Sequence, residues 1–330
     1  MVKMRKGKLK MKNVILFVLA LVITIGSVVS YGIYRTVAKS INGMYEPLHR
    51  DAEQKDTAPH DPISILLLGI DERPGDKGRP DSMIVMTVNP KTKKTTMTSI
   101  PRDTRVFIKS KNKFSKMNSA YTYGGIEGTV ETVEQFLNIP INYYIKINMD
   151  GFKDIVDAIG GVTVDNRIDF TLEGVHLSKG KQHLDGKTAL TYARMRKDDP
   201  RGDFGRQERQ REIINEIIHE GAQLKSLTNY QEILAALEKN IKTNLTLDKM
   251  IDIQSSYKEA AKDIKQVEIE GEDKKVDGLW YHLVTDEKRM EISKASPTIG
   301  LKVINGLKSV HFSGSATLRS GERKPCKGTA

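Results

Sequence analysis

The sequence predicts an α/β fold, an α-β-α sandwich with a central mixed sheet, preceded by one transmembrane helix. Three observations carry this. Ile63-Ser64-Ile65-Leu66-Leu67-Leu68 is a short apolar run ending at Gly69, the pattern of a strand buried on both faces. Met83 to Val88 and Lys94 to Ile100 read as two further strands, and Asn89-Pro90-Lys91-Thr92 between them reads as a hairpin turn. Strand-like and helix-like stretches then alternate along the chain, which places helices on the faces of a sheet.

The elements follow in order. Residues 1–12 carry six Lys/Arg and form a basic segment. Residues 13–34 carry no charge, and Val14 to Val29 are almost all aliphatic. A helix of about 20 apolar residues spans a hydrocarbon core of about 30 Å. Basic residues stay in the cytoplasm, so residues 1–12 are expected inside and the rest exported, as a single-pass type II protein of the cell membrane with an extracellular domain. Ser27-Val28-Val29-Ser30 is a poor cleavage site, which favours an uncleaved anchor over a signal peptide. Residues 35–60 are polar, hold Pro47 and Pro59, and read as a stalk. The folded domain is expected over 61–296.

Within it, Glu127 to Leu137 has helical spacing at Val130, Val133 and Leu137. Tyr143 to Met149 alternates as a strand. Gly151 to Ile159 reads as a helix closed by Gly160-Gly161, and a strand starts at Gly161. Gly205 to Leu224 is a long helix. Helical stretches near Tyr230–Lys239 and Leu247–Lys262 precede strands at Lys265–Ile269 and Leu279–Val284. His176 and His183 are read onto one surface hairpin.

The formal net charge is +11. Residues 1–60 hold ten Lys/Arg against four Asp/Glu, residues 297–330 hold six against one, and residues 61–296 hold thirty-seven of each. The folded part is neutral, which argues against a nucleic-acid partner, since such a domain needs its own basic face. One cysteine, Cys326, makes no internal disulfide.

The chemistry-bearing residues begin on the long helix. Ile213, Ile214, Ile217 and Ile218 form a stripe that continues in steps of three and four through Gln210 to Arg206. An arginine on an apolar face needs an anion, which is either an internal Asp or a ligand. The helix N-terminus adds free N–H groups that favour a ligand anion. Arg194 and Arg196 follow a helical stretch, and Arg102 follows a strand end in Ser99-Ile100-Pro101-Arg102-Asp103. Guanidinium forks suit a diphosphate. Asp71 and Asp81 bracket a Gly/Pro-rich loop, Arg73 to Pro80. They read either as turn aspartates or as carboxylates that hold Mg2+ (or Mn2+) and take a proton from an attacking hydroxyl.

Taken together, Leu66 to Arg73, Arg79-Pro80-Asp81-Ser82, Ser99 to Asp103, Lys116-Met117-Asn118-Ser119-Ala120-Tyr121 with Gly124-Gly125, Val156 to Val162, Leu184 to Arg196 and Gly202 to Gln210 resemble the LytR-CpsA-Psr family over about residues 61–293. Met44-Tyr45-Glu46-Pro47-Leu48 resembles its teichoic acid ligase branch from Gram-positive rods. The resemblance implies a phosphotransferase that moves an anionic glycopolymer, wall teichoic acid foremost, from undecaprenyl diphosphate to the 6-hydroxyl of N-acetylmuramic acid in peptidoglycan. It implies that Arg102, Arg194, Arg196, Arg206 and Gln210 hold the diphosphate, with Arg73 and Arg79 at family positions. It implies that Asp71 and Asp81 hold Mg2+ or Mn2+, with Asp71, Asp81 and Arg102 as the catalytic set. A tunnel for the lipid tail is expected from the resemblance alone.

Two other classes use the same residues. One is a hydrolase of the same diphosphate lipid, and the other is a non-catalytic membrane-tethered regulator or lipid-binding protein of envelope synthesis. About a dozen cytoplasmic residues are too few to read DNA. The segment 297–330 is a Gly/Ser/Lys-rich basic tail that matches nothing in the family pattern.

Overall fold

The computed structural model of the protein describes residues 27, 31–49, 57, 58, 60–72, 75, 78–221, 234 and 237–295. The apolar run at 13–34 lies outside them except for Ser27 and residues 31–34, as do Arg73, most of 230–239 and the tail from 297. Among the described residues no helix is long and apolar enough to cross a membrane.

The chain forms α1 (residues 31–44), β1 (Ile63–Ile70), β2 (Pro80–Asn89), β3 (Lys94–Ser99), β4 (Arg105–Ile108), β5 (Lys113–Lys116), α2 (Ser119–Leu137), β6 (Tyr143–Asn148) and α3 (Met149–Ala158). Four short strands follow, β7 (Val162–Asn166), β8 (Phe170–Leu172), β9 (Val175–Leu177) and β10 (Gly180–Leu184), then α4 (Gly186–Arg194) and α5 (Asp203–Gly221). The last elements are β11 (Ile241–Thr243), α6 (Leu247–Ser256), β12 (Ile264–Glu268), β13 (Glu272–Val276), β14 (Leu279–Leu283) and α7 (Asp286–Ala295). The stretch Leu247–Lys262 is thus a helix followed by a 3-10 turn at Lys258–Lys262, not one helix.

The central sheet has six strands in the order β11-β6-β1-β2-β3-β12. It is mixed as the sequence predicts: β1/β6 and β3/β12 are parallel, and β1/β2, β2/β3 and β6/β11 are antiparallel. Side chains alternate across a strand, so β1 feeds two cores. Leu66, Leu68 and Ile70 pack with Met83 and Val85 under Val130, Val133 and Leu137 of α2. Ile63 and Ile65 pack on the other face with Val88, Tyr143 and Tyr257, beside Met250 and Ile253 of α6. Burying each such aliphatic side chain contributes about 1.5–3 kcal/mol. The β2–β3 turn is closed by Asn89, whose Oδ1 accepts from the N–H groups of Lys91 (3.0 Å) and Thr92 (3.2 Å), an Asx turn.

A third core, built from Val156, Val162, Leu184, Ala189, Tyr192 and Ile213, joins α3, α4 and α5 to the small hairpins. Asn148 caps α3 by accepting from Gly151 N–H at 2.9 Å. Gly160 and Gly161 follow its C-terminus with φ of 87° and 95°, a region that costs glycine nothing. His176 and His183 belong to separate hairpins, β8–β9 and β7–β10, because the chain reverses once more between them than the sequence reading supposed.

The segment read as a stalk is built into the domain over its first part. Ile41 and Met44 of α1 are buried against Ile241 and lie beside Ile147 and Ile155. Residues past the helix lie along the sheet edge, where Glu46 N–H donates to Thr243 O at 2.8 Å and Tyr144 OH donates to Glu46 O at 2.8 Å. The polar composition hides this, because only one face of a short helix needs to be apolar.

Candidate active site

Asp71, just after β1, and Asp81, near the start of β2, lie at the same end of the β1–β2 ladder. Gly69 opposes Ser82 and Ile70 opposes Pro80, which leaves Asp81 as an extra, unopposed residue. Such a bulge kinks the strand and re-aims the side chain. Gly78, between the two aspartates, lies so close to Asp71 that a Cβ on it would come within 2.3 Å of Asp71 O, and its φ is +66°. Both aspartates are half-buried. Beside Asp71, Glu72 accepts from Lys146 Nζ at 2.5 Å and from Tyr121 OH at 3.3 Å. Burial alone would lower the Lys146 ammonium, but Glu72 and Tyr121 overcome it and hold it above the usual lysine value.

Arg102 comes from the end of β3. The turn Pro101–Thr104 fixes it, with Thr104 Oγ1 donating to Pro101 O at 2.7 Å and Asn118 N–H donating to Arg102 O at 3.1 Å. Its guanidinium NH1 lies 2.5 Å from Asp81 Oδ1, and Nε lies 3.7 Å from Asp103 Oδ2. Asp103 is in turn 2.6 Å from Lys116 Nζ. Burial opposes the Arg102 charge, but the carboxylates of Asp81, Asp103 and Asp203 hold it above the usual arginine value.

The first turn of α5 closes the cluster. Asp203 accepts from Gln207 Nε2 at 2.9 Å and lies 3.7 Å from Arg196 Nε. Arg206 NH2 donates to Asp81 O at 3.2 Å. The same nitrogen lies 2.7 Å from Asp203 Oδ1, close in distance but off the hydrogen-bonding direction. Arg206 is 7 % exposed, and its Nε has no partner among the described residues. Burial, with the charges of Arg102 and Arg196 nearby, pulls the Arg206 guanidinium below the usual arginine value against Asp203 and Asp81. Three guanidinium groups and the Lys116 ammonium thus face three carboxylates, Asp81, Asp103 and Asp203, with the buried Arg206 Nε left unused. An anion with several oxygens completes such a set.

Of the other predicted residues, Arg79, Arg194 and Gln210 are among the described ones. Arg194 ends α4 and its NH1 lies 2.9 Å from Glu173 Oε2. Met195 is extended beyond the helix, so Arg196 turns toward Asp203 and the two arginines have different partners. Gln210 Nε2 donates to Ala193 O at 3.4 Å. Arg79 is exposed on the loop, and Arg73 lies outside the described residues.

Sequence reading missed Asp203, Arg209 and Arg211. Arg209 NH1 lies 2.5 Å from Asp199 Oδ2, its Nε donates to Tyr192 O at 3.1 Å, and its NH2 donates to Met195 O. Arg211 is 2 % exposed and donates to Gln266 Oε1 (3.0 Å), Ser99 Oγ (2.8 Å) and Glu268 Oε1 (2.8 Å). The spacing held a signal for both: Arg209 is four residues before Ile213, and Arg211 is three before Ile214.

Carboxylates are the donor type that a hard divalent ion takes, and here Asp81 Oδ1 is paired with Arg102. Asp71 and Asp81 offer carboxylate oxygens at a bulge, and two carboxylates suit Mg2+, which keeps waters and takes the remaining oxygens from phosphates. A group of three ligand-type side chains occurs among the described residues at Glu216, His219 and Glu220 of α5, outside this cluster.

Comparison with known proteins matches this architecture. The LytR_cpsA_psr family model matches residues 31–297. The chain is 48 % identical over 292 residues to the polyisoprenyl-teichoic acid–peptidoglycan teichoic acid transferase TagU of Bacillus cereus, covering 86 % of this chain and 96 % of that protein. The crystal structure of TagU from B. subtilis superposes with a TM-score of 0.57 at 44 % identity, covering 71 % and 94 % of the two chains. The family protein YwtF (TagT) with bound octaprenyl pyrophosphate lipid superposes with a TM-score of 0.58 at 31 % identity, covering 73 % and 91 %. The chain belongs to the LytR-CpsA-Psr family.

Proposed function

We propose that this protein is a phosphotransferase that moves a teichoic acid from a polyprenyl diphosphate carrier to peptidoglycan, with the reaction run at the Asp81–Arg102–Arg206 cluster. The observation that carries the site assignment is the incomplete pairing of Arg206: a buried guanidinium with an unused Nε beside two more guanidinium groups. The relatives' names supply the chemistry of donor and acceptor.

The carrier is undecaprenyl diphosphate and the acceptor atom is the 6-hydroxyl of N-acetylmuramic acid. The hydroxyl oxygen attacks the phosphorus next to the glycan. The bond from that phosphorus to the bridging oxygen breaks, and undecaprenyl phosphate leaves with the electron pair. The hydroxyl proton passes to a carboxylate of the Asp71–Asp81 pair. Arg102, Arg196 and Arg206 take the charge that gathers on the phosphate oxygens, with Arg194, Gln210, Arg73 and Arg79 as outer contacts. Bound Mg2+ or Mn2+, held by Asp71 and Asp81, would supply further neutralisation of the phosphates. The diphosphate link stores the energy, so the reaction needs no ATP. That suits a domain held outside the cell membrane of a Gram-positive bacterium by an apolar segment at 13–34.

The test is label transfer. The full chain in detergent is given a radiolabelled lipid-diphosphate teichoic acid precursor, Mg2+ and uncrosslinked peptidoglycan. Label is expected in the glycan, and Arg102→Ala is expected to lose it by two orders of magnitude or more, on the order of one oxyanion donor. Release of lipid phosphate with no label in the glycan would make the protein a hydrolase. Absence of both products would leave it a lipid-binding protein.

A further inference from the structure

The chain has a single tryptophan, and it is on the surface. Trp280 is 62 % exposed and its neighbour Leu279 is 56 % exposed. Both sit on the β13–β14 hairpin, and among the described residues no side chain stacks on the indole or bonds to it. Single exposed apolar side chains are ordinary on a protein surface; what sets Trp280 apart is where its hairpin is anchored.

The hairpin is fixed to the arginine cluster at its base. His282 N–H donates to Asp103 O at 3.0 Å, next to Arg102, and the His282 ring meets Phe204, next to Asp203, with centroids 5.7 Å apart. Side chains alternate along a strand, so Trp280 projects from the same face as His282. Lys275 is paired opposite Trp280 and is exposed, and Asp273 is paired opposite His282 and binds its Nδ1 at 2.8 Å. One hairpin face therefore runs outward from Phe204 and His282 to an open indole and an ammonium.

We infer that the Trp280–Lys275 face of this hairpin is the docking platform for the acceptor glycan strand of peptidoglycan. The inference rests on the transferase reading given above. A sugar ring presents an apolar C–H face, and an indole covers it with a large, rigid surface at little entropic cost. Peptidoglycan strands also carry peptide carboxylates, which Lys275 complements. The donor needs no such platform, because its diphosphate is held by the arginines. An anionic bilayer fits less well, since it calls for a polybasic patch. Residues 272–277 hold Glu272, Asp273 and Asp277 against Lys274 and Lys275.

Because Trp280 is the sole indole, its fluorescence reads the contact directly. Titrating the full chain in detergent with uncrosslinked glycan strands is expected to shift the emission to the blue. In label transfer, Trp280→Ala is expected to raise the acceptor KM about tenfold, the size of a moderate interface contact. Donor KM and kcat stay unchanged, and Trp280→Phe recovers part of the loss. An unchanged acceptor KM in a folded, active Trp280→Ala overturns the inference. So does a rise in donor KM instead, or an emission shift with phosphatidylglycerol vesicles and none with glycan. Failure of the transferase reading is distinct, since wild type would then move no label at all.

Discussion

Two neighbourhoods of one helix, α5, treat buried arginine in opposite ways. Arg209 and Arg211 are 6 % and 2 % exposed, and their nitrogens end on Asp199, on backbone carbonyls, or on Ser99, Gln266 and Glu268. Arg206, one turn earlier and 7 % exposed, keeps a buried Nε with no partner among the described residues and shares its carboxylate with Arg196. Burying a charge without full pairing is costly, so a protein that keeps one does so where a ligand finishes the pairing. The first two arginines are paired within the fold, and Arg206 keeps a buried donor open, as the proposed diphosphate site requires.

The contrast can be broken in three ways. The largest effect is expected from Arg209→Met, which strands the Asp199 carboxylate at 5 % side-chain exposure. Breaking one partner of a buried pair costs about 3–5 kcal/mol, read as a lower urea midpoint. Arg206→Met should leave that midpoint in place, since Asp203 keeps Arg196 and Gln207. Equal destabilisation by both variants would erase the distinction.

The next effect is on activity. Arg206→Met is expected to lower the rate of label transfer by about 10²–10³, the size of one lost charge-stabilising donor. A variant that keeps its fold and nearly its full rate would show that Arg206 is structural after all.

The smallest effect is on acid stability. Burial opposes the Asp199 charge, but the hydrogen bonds from the Arg209 side chain and the Arg201 N–H, with the charges of both arginines, together outweigh it and hold the carboxyl below the usual value. A depressed folded pKa gives stability that is present above the unfolded value, near about 3.9, and is lost as pH falls through the folded one. Arg209→Met removes the part of that stability that Arg209 supplies and leaves Arg201. The gap in urea midpoint between wild type and Arg209→Met should therefore narrow as the pH drops below about 4. A gap that stays constant down to about pH 2 would deny Asp199 this role.

Much of the site could be read along the chain. Arg206 on an apolar stripe, Arg102 at a strand end and Asp81 beside a Gly/Pro loop are local patterns, and the fold gathers these three. Asp203 escaped because an acidic residue in a first helical turn is commonplace, and only its contacts with Arg196, Arg206 and Gln207 mark it out. Tracing a single stripe also passed over Arg209 and Arg211, since α5 is buried on more than one side. The Glu272–Val276 strand is mostly charged, so its hairpin with Leu279–Leu283 had no apolar pattern to announce it.

By itself the sequence determined the class of fold, because the two-residue and 3.6-residue periods of burial are local properties of strands and helices. It also determined the family, through an ordered series of short motifs. Only the tertiary structure decided which arginines are paired. Arg211 meets Ser99 and Glu268, and Arg206 meets Asp81, across the sheet and far along the chain. Periodicity says that a side chain points inward. What it meets there depends on strand register and the bulge at Asp81, and those are settled by packing over the whole domain.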